Sequence, residues 1–143
     1  MKSATRLILW IGGLAAIAIA LLHIALGPAA IPGSVPVNAT MDSEDRFYAT
    51  LFLGFGAALI WCARDLARRS GPAYALLAVF FAGGIARIIS VLAVGWPDTL
   101  FIFLGGLELA LPPIVGWMIW RHSTGSEDGA NAGTASRTPS DIC

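Results

Sequence analysis

The chain has 143 residues, of which 57% are hydrophobic and only 13% are charged, and its mean hydropathy is +0.75. Soluble domains usually carry about 25% charged residues, so this composition excludes an ordinary soluble globular domain. Nine Lys and Arg residues balance nine Asp and Glu residues, which leaves no basic excess for nucleic acid. The sequence therefore indicates an integral membrane protein.

Four long apolar runs occupy residues 7–26, 47–63, 73–94 and 99–120. A bilayer core of about 30 Å needs about 20 helical residues, and these runs are too long and too uniformly apolar for membrane β-strands. We predict an all-α, integral membrane four-helix bundle with antiparallel, up-down topology over residues 1–121. Its helices are expected at about 7–26, 46–64, 73–94 and 99–120. We expect the polar segment 122–143 to be a disordered cytoplasmic tail.

Basic residues set the orientation of membrane helices, and they favour the cytoplasmic side. Arg46 is the single basic residue on one side of the four-span topology. The other side holds Lys2, Arg6, Arg64, Arg68, Arg69 and Arg121. Both termini are therefore predicted to be cytoplasmic. A cleaved signal peptide is the alternative for the N-terminus, but the first apolar run is longer than the ~7 to 15 residues of a signal peptide, so we expect this helix to remain.

The two outer connections differ in length. Residues 95–98 form a short turn, in which Asp98 is expected to cap the fourth helix. The connection 27–46 is long and contains three prolines, so regular helix is not expected before about Met41. Its acidic cluster, residues 42–45, fits either a cation site or a helix N-terminus, and we favour the helix N-terminus.

Small residues recur along every apolar run, and in lipid they allow helix backbones to approach closely. We predict helix packing at Gly12, Gly54, Gly83, Gly84 and Gly105. The cysteines and histidines are too widely spaced for a metal site or a disulfide framework. We therefore expect neither a metal nor a cofactor.

Two charged residues, Arg87 and Glu108, fall inside the apolar runs. A charge at the centre of a membrane helix costs about 2.5 to 3.5 kcal/mol on insertion scales, so it normally faces protein or water. At ~1.5 Å per residue, their depths below the shared turn differ by only about 3 Å. We predict that they form an ion pair that points into the bundle.

His23 and Ser90 are the other polar candidates near the same depth. With Arg87 and Glu108 they would line an outer-leaflet cavity that supplies an acid, a base and a hydroxyl. These four residues are our candidate ligand-binding site. The alternative is that His23 is a hydrogen-bonded packing residue and that the ion pair only specifies which helices associate.

The chain resembles a family of small bacterial membrane proteins known as domain of unknown function 4345. The resemblance rests on short motifs that leave out the tail. They are Arg46-Phe47-Tyr48, Leu53 to Gly56, Gly83-Gly84-x-Ala86-Arg87-x-x-Ser90, Gly95-x-Pro97 and Leu107-Glu108 with Pro112. More remotely, the family is similar to DoxX-like four-helix membrane proteins linked with thiol and sulfur oxidation. The resemblance implies four helices in a bacterial inner membrane and no established activity.

Three functions are compatible with these features. The first is a non-enzymatic membrane protein that binds a small polar or lipid ligand, or a partner subunit, around Arg87 and Glu108. The second is a membrane enzyme that acts on a lipid or quinone with Glu108 as general acid or base, although the sequence offers no nucleophile beside it. The third is an oligomeric transporter subunit. The expected partners are the lipid bilayer, a lipid or quinone ligand, and further membrane subunits or copies of the chain, with no role for nucleic acid.

Overall fold

The computed structural model of the protein describes the backbone of residues 2–135 and the side chains of residues 3–121. Helix α1 spans Lys2–Leu26, α2 spans Ala39–Arg64, α3 spans Ser70–Val94 and α4 spans Thr99–Ala135. A short 3-10 helix, Gly27–Ala30, follows α1. Each long helix contains a segment long and apolar enough to cross a membrane. The predicted all-α architecture with four candidate membrane spans is confirmed.

The helix boundaries differ most from the predicted ranges at the start of α2 and at the end of α4, while α1 and α3 begin five and three residues early. Helix α2 begins about two turns early, because the Asn38 side chain caps it by accepting a hydrogen bond from the backbone N–H of Met41 at 2.9 Å. Helix α4 continues past its predicted end to Ala135, whereas its candidate membrane span ends at Arg121. It thereby enters the segment for which we predict disorder. Residues 136–143 lie outside the described residues, and disorder of the tail stays a prediction.

Helices α1 and α2 pack along their whole length as one hairpin. Near the start of α1, the Arg6 Nε donates to the carbonyl of Ala63, near the end of α2, at 2.9 Å. Half-way along, Gly13 lies against Gly56, where a Cβ on Gly56 would stand 2.7 Å from the Gly13 carbonyl oxygen. Only glycine permits this approach of the two backbones. The interface is therefore built from small residues in the middle and polar contacts at the ends.

The close-packing glycines of this hairpin are neighbours of the predicted ones. A Cβ on Gly12 would meet only the Leu59 side chain, at 3.9 Å, and a Cβ on Gly54 would meet nothing within 4 Å. Successive helical residues are about 100° apart around the axis, so a shift of one or two positions turns a residue away from the partner helix. Gly13 and Gly56 replace Gly12 and Gly54 as the packing residues.

Helices α3 and α4 form the second hairpin. The Tyr74 hydroxyl donates to the carbonyl of Gly116 at 3.1 Å, and a Cβ on Gly84 would lie 2.8 Å from the Leu109 side chain. Asp98 caps α4 as predicted, since its carboxylate accepts a hydrogen bond from the backbone N–H of Leu100 at 2.9 Å. The two helices thus approach closely at a predicted small residue.

The two hairpins meet at the end of the molecule that carries Arg6, Arg64, Arg69 and Arg121, which we call the basic end. The opposite end carries the connections 27–38 and 95–98, and we call it the loop end. One buried cluster near the basic end contains residues from all four helices: Leu9, Leu59, Cys62, Ala63, Ala73, Leu77, Val115 and Ile119. Further towards the loop end, the Phe55 and Phe80 rings stack with centroids 5.8 Å apart. The shared core therefore occupies the half of the molecule near the basic end.

Candidate functional site

Arg87 of α3 and Glu108 of α4 form the predicted ion pair. The Arg87 Nε donates to the Glu108 Oε2 at 2.7 Å. The aliphatic part of Arg87 crosses α4 at Gly105, where a Cβ would lie 3.3 Å from the Arg87 Cδ. A side chain at position 105 would therefore press on the arginine and displace it.

Two glycines of α3 make room for the acid. A Cβ on Gly84 would lie 3.2 Å from the Glu108 Cβ, and a Cβ on Gly83 would lie 3.7 Å from Oε2. The Glu108 side chain is consequently only 12% exposed, whereas that of Arg87 is 38% exposed. Gly83, Gly84 and Gly105, three of the predicted packing residues, thus lie next to the ion pair.

Arg87 retains hydrogen-bonding capacity after pairing. Within the part of the chain whose side chains are described, its guanidinium donates through Nε alone. The guanidinium carbon lies 5.5 Å from the centroid of the Phe101 ring, a cation–π distance. The two terminal nitrogens are the atoms with which arginine commonly holds a carboxylate or phosphate in bidentate geometry. At this site the Glu108 carboxylate thus holds the Arg87 guanidinium in place, and the two terminal nitrogens of Arg87 remain as hydrogen-bond donors for a ligand.

His23 does not join this pair. Its Nδ1 lies 3.2 Å from both carboxylate oxygens of Asp45 on α2, and the two side chains are 21% and 19% exposed. His23 lies on the face of α1 that carries the buried Ala16 and Ala20. That face packs on α2, so the histidine belongs to the first hairpin. The prediction that His23 shares a pocket with Arg87, Ser90 and Glu108 is therefore wrong for His23.

Ser90 is exposed on α3, and within the described side chains it makes no hydrogen bond to Arg87 or Glu108. The residues that the structure brings together are therefore Arg87 and Glu108, with Phe101 and the flanking glycines. Phe101 was missed by the sequence analysis. Its position one helical turn before Gly105 was the available signal, because residues four apart share a helix face.

A second polar cluster at the loop end was only partly expected. Arg46 bonds Asp42 through Nε at 2.9 Å and through Nη2 at 3.1 Å, and its Nη1 donates to the carbonyl of Ile24. Gly27 adopts φ +60° beside this contact, and a Cβ there would lie 2.5 Å from an Asp42 oxygen. Arg46 thus caps the C-terminus of α1. The acidic cluster supplies partners for Arg46 and His23, while Asn38 provides the N-cap of α2.

An apolar cavity of about 270 Å³ lies between α2 and α3 near the basic end. None of the predicted site residues lines it. Its lining is apolar apart from one free thiol and comprises Ala58, Trp61, Cys62, Pro72, Ala75, Leu76 and Val79. It is therefore a feature separate from the ion pair.

The family model described as "Domain of unknown function (DUF4345)" matches residues 4–119, which include both hairpins, the ion pair and the cavity. The chain belongs to the DUF4345 family. Comparison with curated proteins and with solved structures found no match. The description of DUF4345 states no activity, so the function of this member has to be argued from its own geometry.

Proposed function

We propose that this DUF4345 protein is a non-enzymatic, multi-pass membrane protein whose Arg87 site binds the anionic group of a small amphiphile, either a phosphate or a carboxylate. The observation that carries the proposal is the asymmetry of the ion pair: Glu108 is nearly buried, whereas Arg87 is 38% exposed and donates to Glu108 through Nε. The acid holds the guanidinium in place, and the terminal nitrogens are left for a ligand.

Energetics supports a role beyond packing. Replacing a buried ion pair by apolar groups of similar size is often neutral or stabilising, so a hairpin that needed only stability would not require one. In a membrane the pair carries an additional insertion cost. An anionic ligand would offset part of this cost by occupying the donors of Arg87 that Glu108 does not use.

The proposed membrane arrangement is an antiparallel up-down bundle in a bacterial inner membrane with both termini in the cytoplasm. It is supported by contacts that join the start of α1 to the end of α2 and Tyr74 of α3 to Gly116 of α4. The excess of arginines at the basic end supports a cytoplasmic position for that end. Arg87 would then lie about 10 Å below the outer end of α3, within reach of lipid headgroups for a long side chain.

The alternatives have less support. A membrane enzyme with Glu108 as general acid or base would need that carboxylate to reach its substrate, yet it is engaged by Arg87. A thiol-based role in the manner of DoxX-like proteins would need an accessible cysteine, and Cys62, the cysteine among the described residues, is 0% exposed within the core. The ion pair provides no chain of ionisable groups for an oligomeric transporter.

Binding of dodecyl phosphate to the purified protein in maltoside detergent tests the proposal by isothermal titration calorimetry. Loss of two charge-assisted hydrogen bonds should weaken binding at least about tenfold in Arg87→Gln. Arg87→Lys, which keeps the positive charge but loses the paired N–H donors of the guanidinium, should bind with intermediate affinity. Arg121→Gln, which removes an arginine at the basic end of the molecule, should bind dodecyl phosphate as the wild type does. Equal affinity of Arg87→Gln and wild type would refute the anion site.

A further inference from the structure

The cavity between α2 and α3 is open to the surface, since Trp61 and Val79 are exposed, and its apolar lining suits a hydrocarbon chain. Its volume of about 270 Å³ is just below the range of about 300 to 1,000 Å³ for pockets that enclose whole drug-sized ligands. It therefore has room for a segment of a flexible chain. Its lining residues extend along α2 from Ala58 to Cys62 and along α3 from Pro72 to Val79, which is roughly 10 Å of helix.

The rim of this cavity is cationic. Trp61 lines the cavity, and the guanidinium carbon of Arg69 lies 4.2 Å from the centroid of its ring. Arg69 also donates to the Trp61 carbonyl, which fixes the cation beside the indole. Arg68 precedes Arg69 in the connection 65–69, where Asp65 is the only acid. An apolar cavity thus opens next to a net positive rim.

We propose that this cavity binds one acyl chain of an anionic phospholipid from the leaflet that faces the basic end, with its phosphate held by Arg69 and Arg68. The occupant is inferred from charge complementarity. The phosphate matches the arginine donors, the chain matches the apolar lining, and tryptophan typically lies where the two regions of a lipid meet. The site is distinct from the Arg87 site, which lies towards the loop end.

The test is native mass spectrometry of the full chain, extracted from bilayers made of equal parts phosphatidylglycerol and phosphatidylcholine. The wild type should retain phosphatidylglycerol preferentially. Arg69→Gln should lower that preference about fivefold, the usual effect of one arginine near an anionic surface. Arg121→Gln is the matched control, because Arg121 likewise lies over a tryptophan, Trp117, at 4.5 Å but away from the cavity.

Filling the cavity tests the acyl chain separately from the headgroup. Ala75→Leu should lower retention of both lipids, whereas Ala57→Leu, on the exposed face of α2 and outside the lining, should leave it unchanged. If Ala75→Leu does not fold, Ala58→Leu fills the same cavity from α2. Wild-type retention by folded Arg69→Gln and cavity-filling variants would overturn the proposal. So would equal losses in the two controls. In an Arg87→Gln background, Arg69→Gln should still lower the preference about fivefold, so a failure of the proposed function remains distinguishable.

Discussion

At the scale of single residues, the contrast between Gly56 and Gly54 shows how narrowly the first hairpin is specified. A Cβ on Gly56 would lie 2.7 Å from a backbone oxygen of α1, and that oxygen cannot move without moving the helix. Gly54, two residues earlier, borders open space. Both glycines lie on one membrane-spanning helix, so they form a matched pair for substitution.

We predict that Gly56→Ala destabilises the protein by about 1 to 3 kcal/mol, the usual cost of overpacking an interface. Gly54→Ala should be neutral or slightly stabilising, because alanine favours the helix and meets no neighbour. Unfolding in mixed micelles, followed by circular dichroism, measures both. Equal effects of the two substitutions would contradict the observed close approach.

The ion pair allows a second residue-scale prediction. Glu108→Gln alone leaves the partly exposed Arg87 without its anion and should cost about 1 to 3 kcal/mol, whereas Arg87→Met with Glu108→Leu should fold nearly as stably as the wild type. Unfolding in mixed micelles again gives the values. The double variant should also lose the dodecyl phosphate binding that depends on Arg87, so binding equal to that of the wild type in a folded double variant would exclude the proposed function.

At the scale of secondary-structure elements, the end of α1 depends on a side chain from α2. Arg46 donates to the Ile24 carbonyl while Asp42 holds its guanidinium, and Gly27 provides the positive φ that leads out of the helix. Carbonyls at a helix C-terminus lack intrahelical partners, so this contact replaces hydrogen bonds that the helix itself cannot make. The Arg46 side chain therefore caps α1 and at the same time holds α1 against α2.

We predict that Arg46→Gln frays the last turn of α1 and thereby destabilises the first hairpin. Amide hydrogen exchange should accelerate in the turn before Leu26 and in the 3-10 helix Gly27–Ala30. Glu44→Gln is the control, since Glu44 is an exposed acid in the same segment. Unchanged exchange in Arg46→Gln would show that the cap contributes nothing to stability.

At the scale of the whole molecule, the buried core is displaced towards the basic end. The cluster shared by all four helices lies there, and the aromatic stack of Phe55 on Phe80 is the contact between hairpins that reaches furthest towards the loop end among those described above. The polar side-chain pairs described at the loop end each lie within one hairpin: His23 with Asp45, Arg46 with Asp42, and Arg87 with Glu108. The hairpins should therefore move relative to each other more freely at the loop end.

Electron paramagnetic distance measurements test this expectation in a background with both cysteines replaced. Spin labels at Ser34 and Trp96, one on each loop-end connection, should give a broad distance distribution. Labels at Ala4 and Trp117, on α1 and α4 near the basic end, should give a narrow one, because the packed core fixes those helices. Equally narrow distributions at the two ends would exclude such motion.

Much of this fold could be predicted from local pattern, because the features concerned depend on residues close in sequence. The Asp98 cap follows from a four-residue turn, and the pairing of Arg87 with Glu108 follows from their similar distance to that turn. Because the turn is short, the two helices that it joins must be neighbours. Similar depth along these helices was therefore sufficient to predict the ion pair. Helix α2 begins at Ala39, two residues before the expected position near Met41, because Asn38 supplies an N-cap that the apolar run 47–63 does not indicate.

The sequence by itself determined the four apolar spans, the short turn 95–98 and the pairing of Arg87 with Glu108. Length, hydropathy and distance along the helix are properties of the chain alone. Only the tertiary structure decided that His23 meets Asp45, that Gly13 and Gly56 are the residues in close contact, and that a cavity opens beside Trp61. These depend on the rotation of each helix about its axis and on how the two hairpins dock. Lipid provides no hydrophobic force that fixes either, so van der Waals packing of small residues and a few polar contacts decide them.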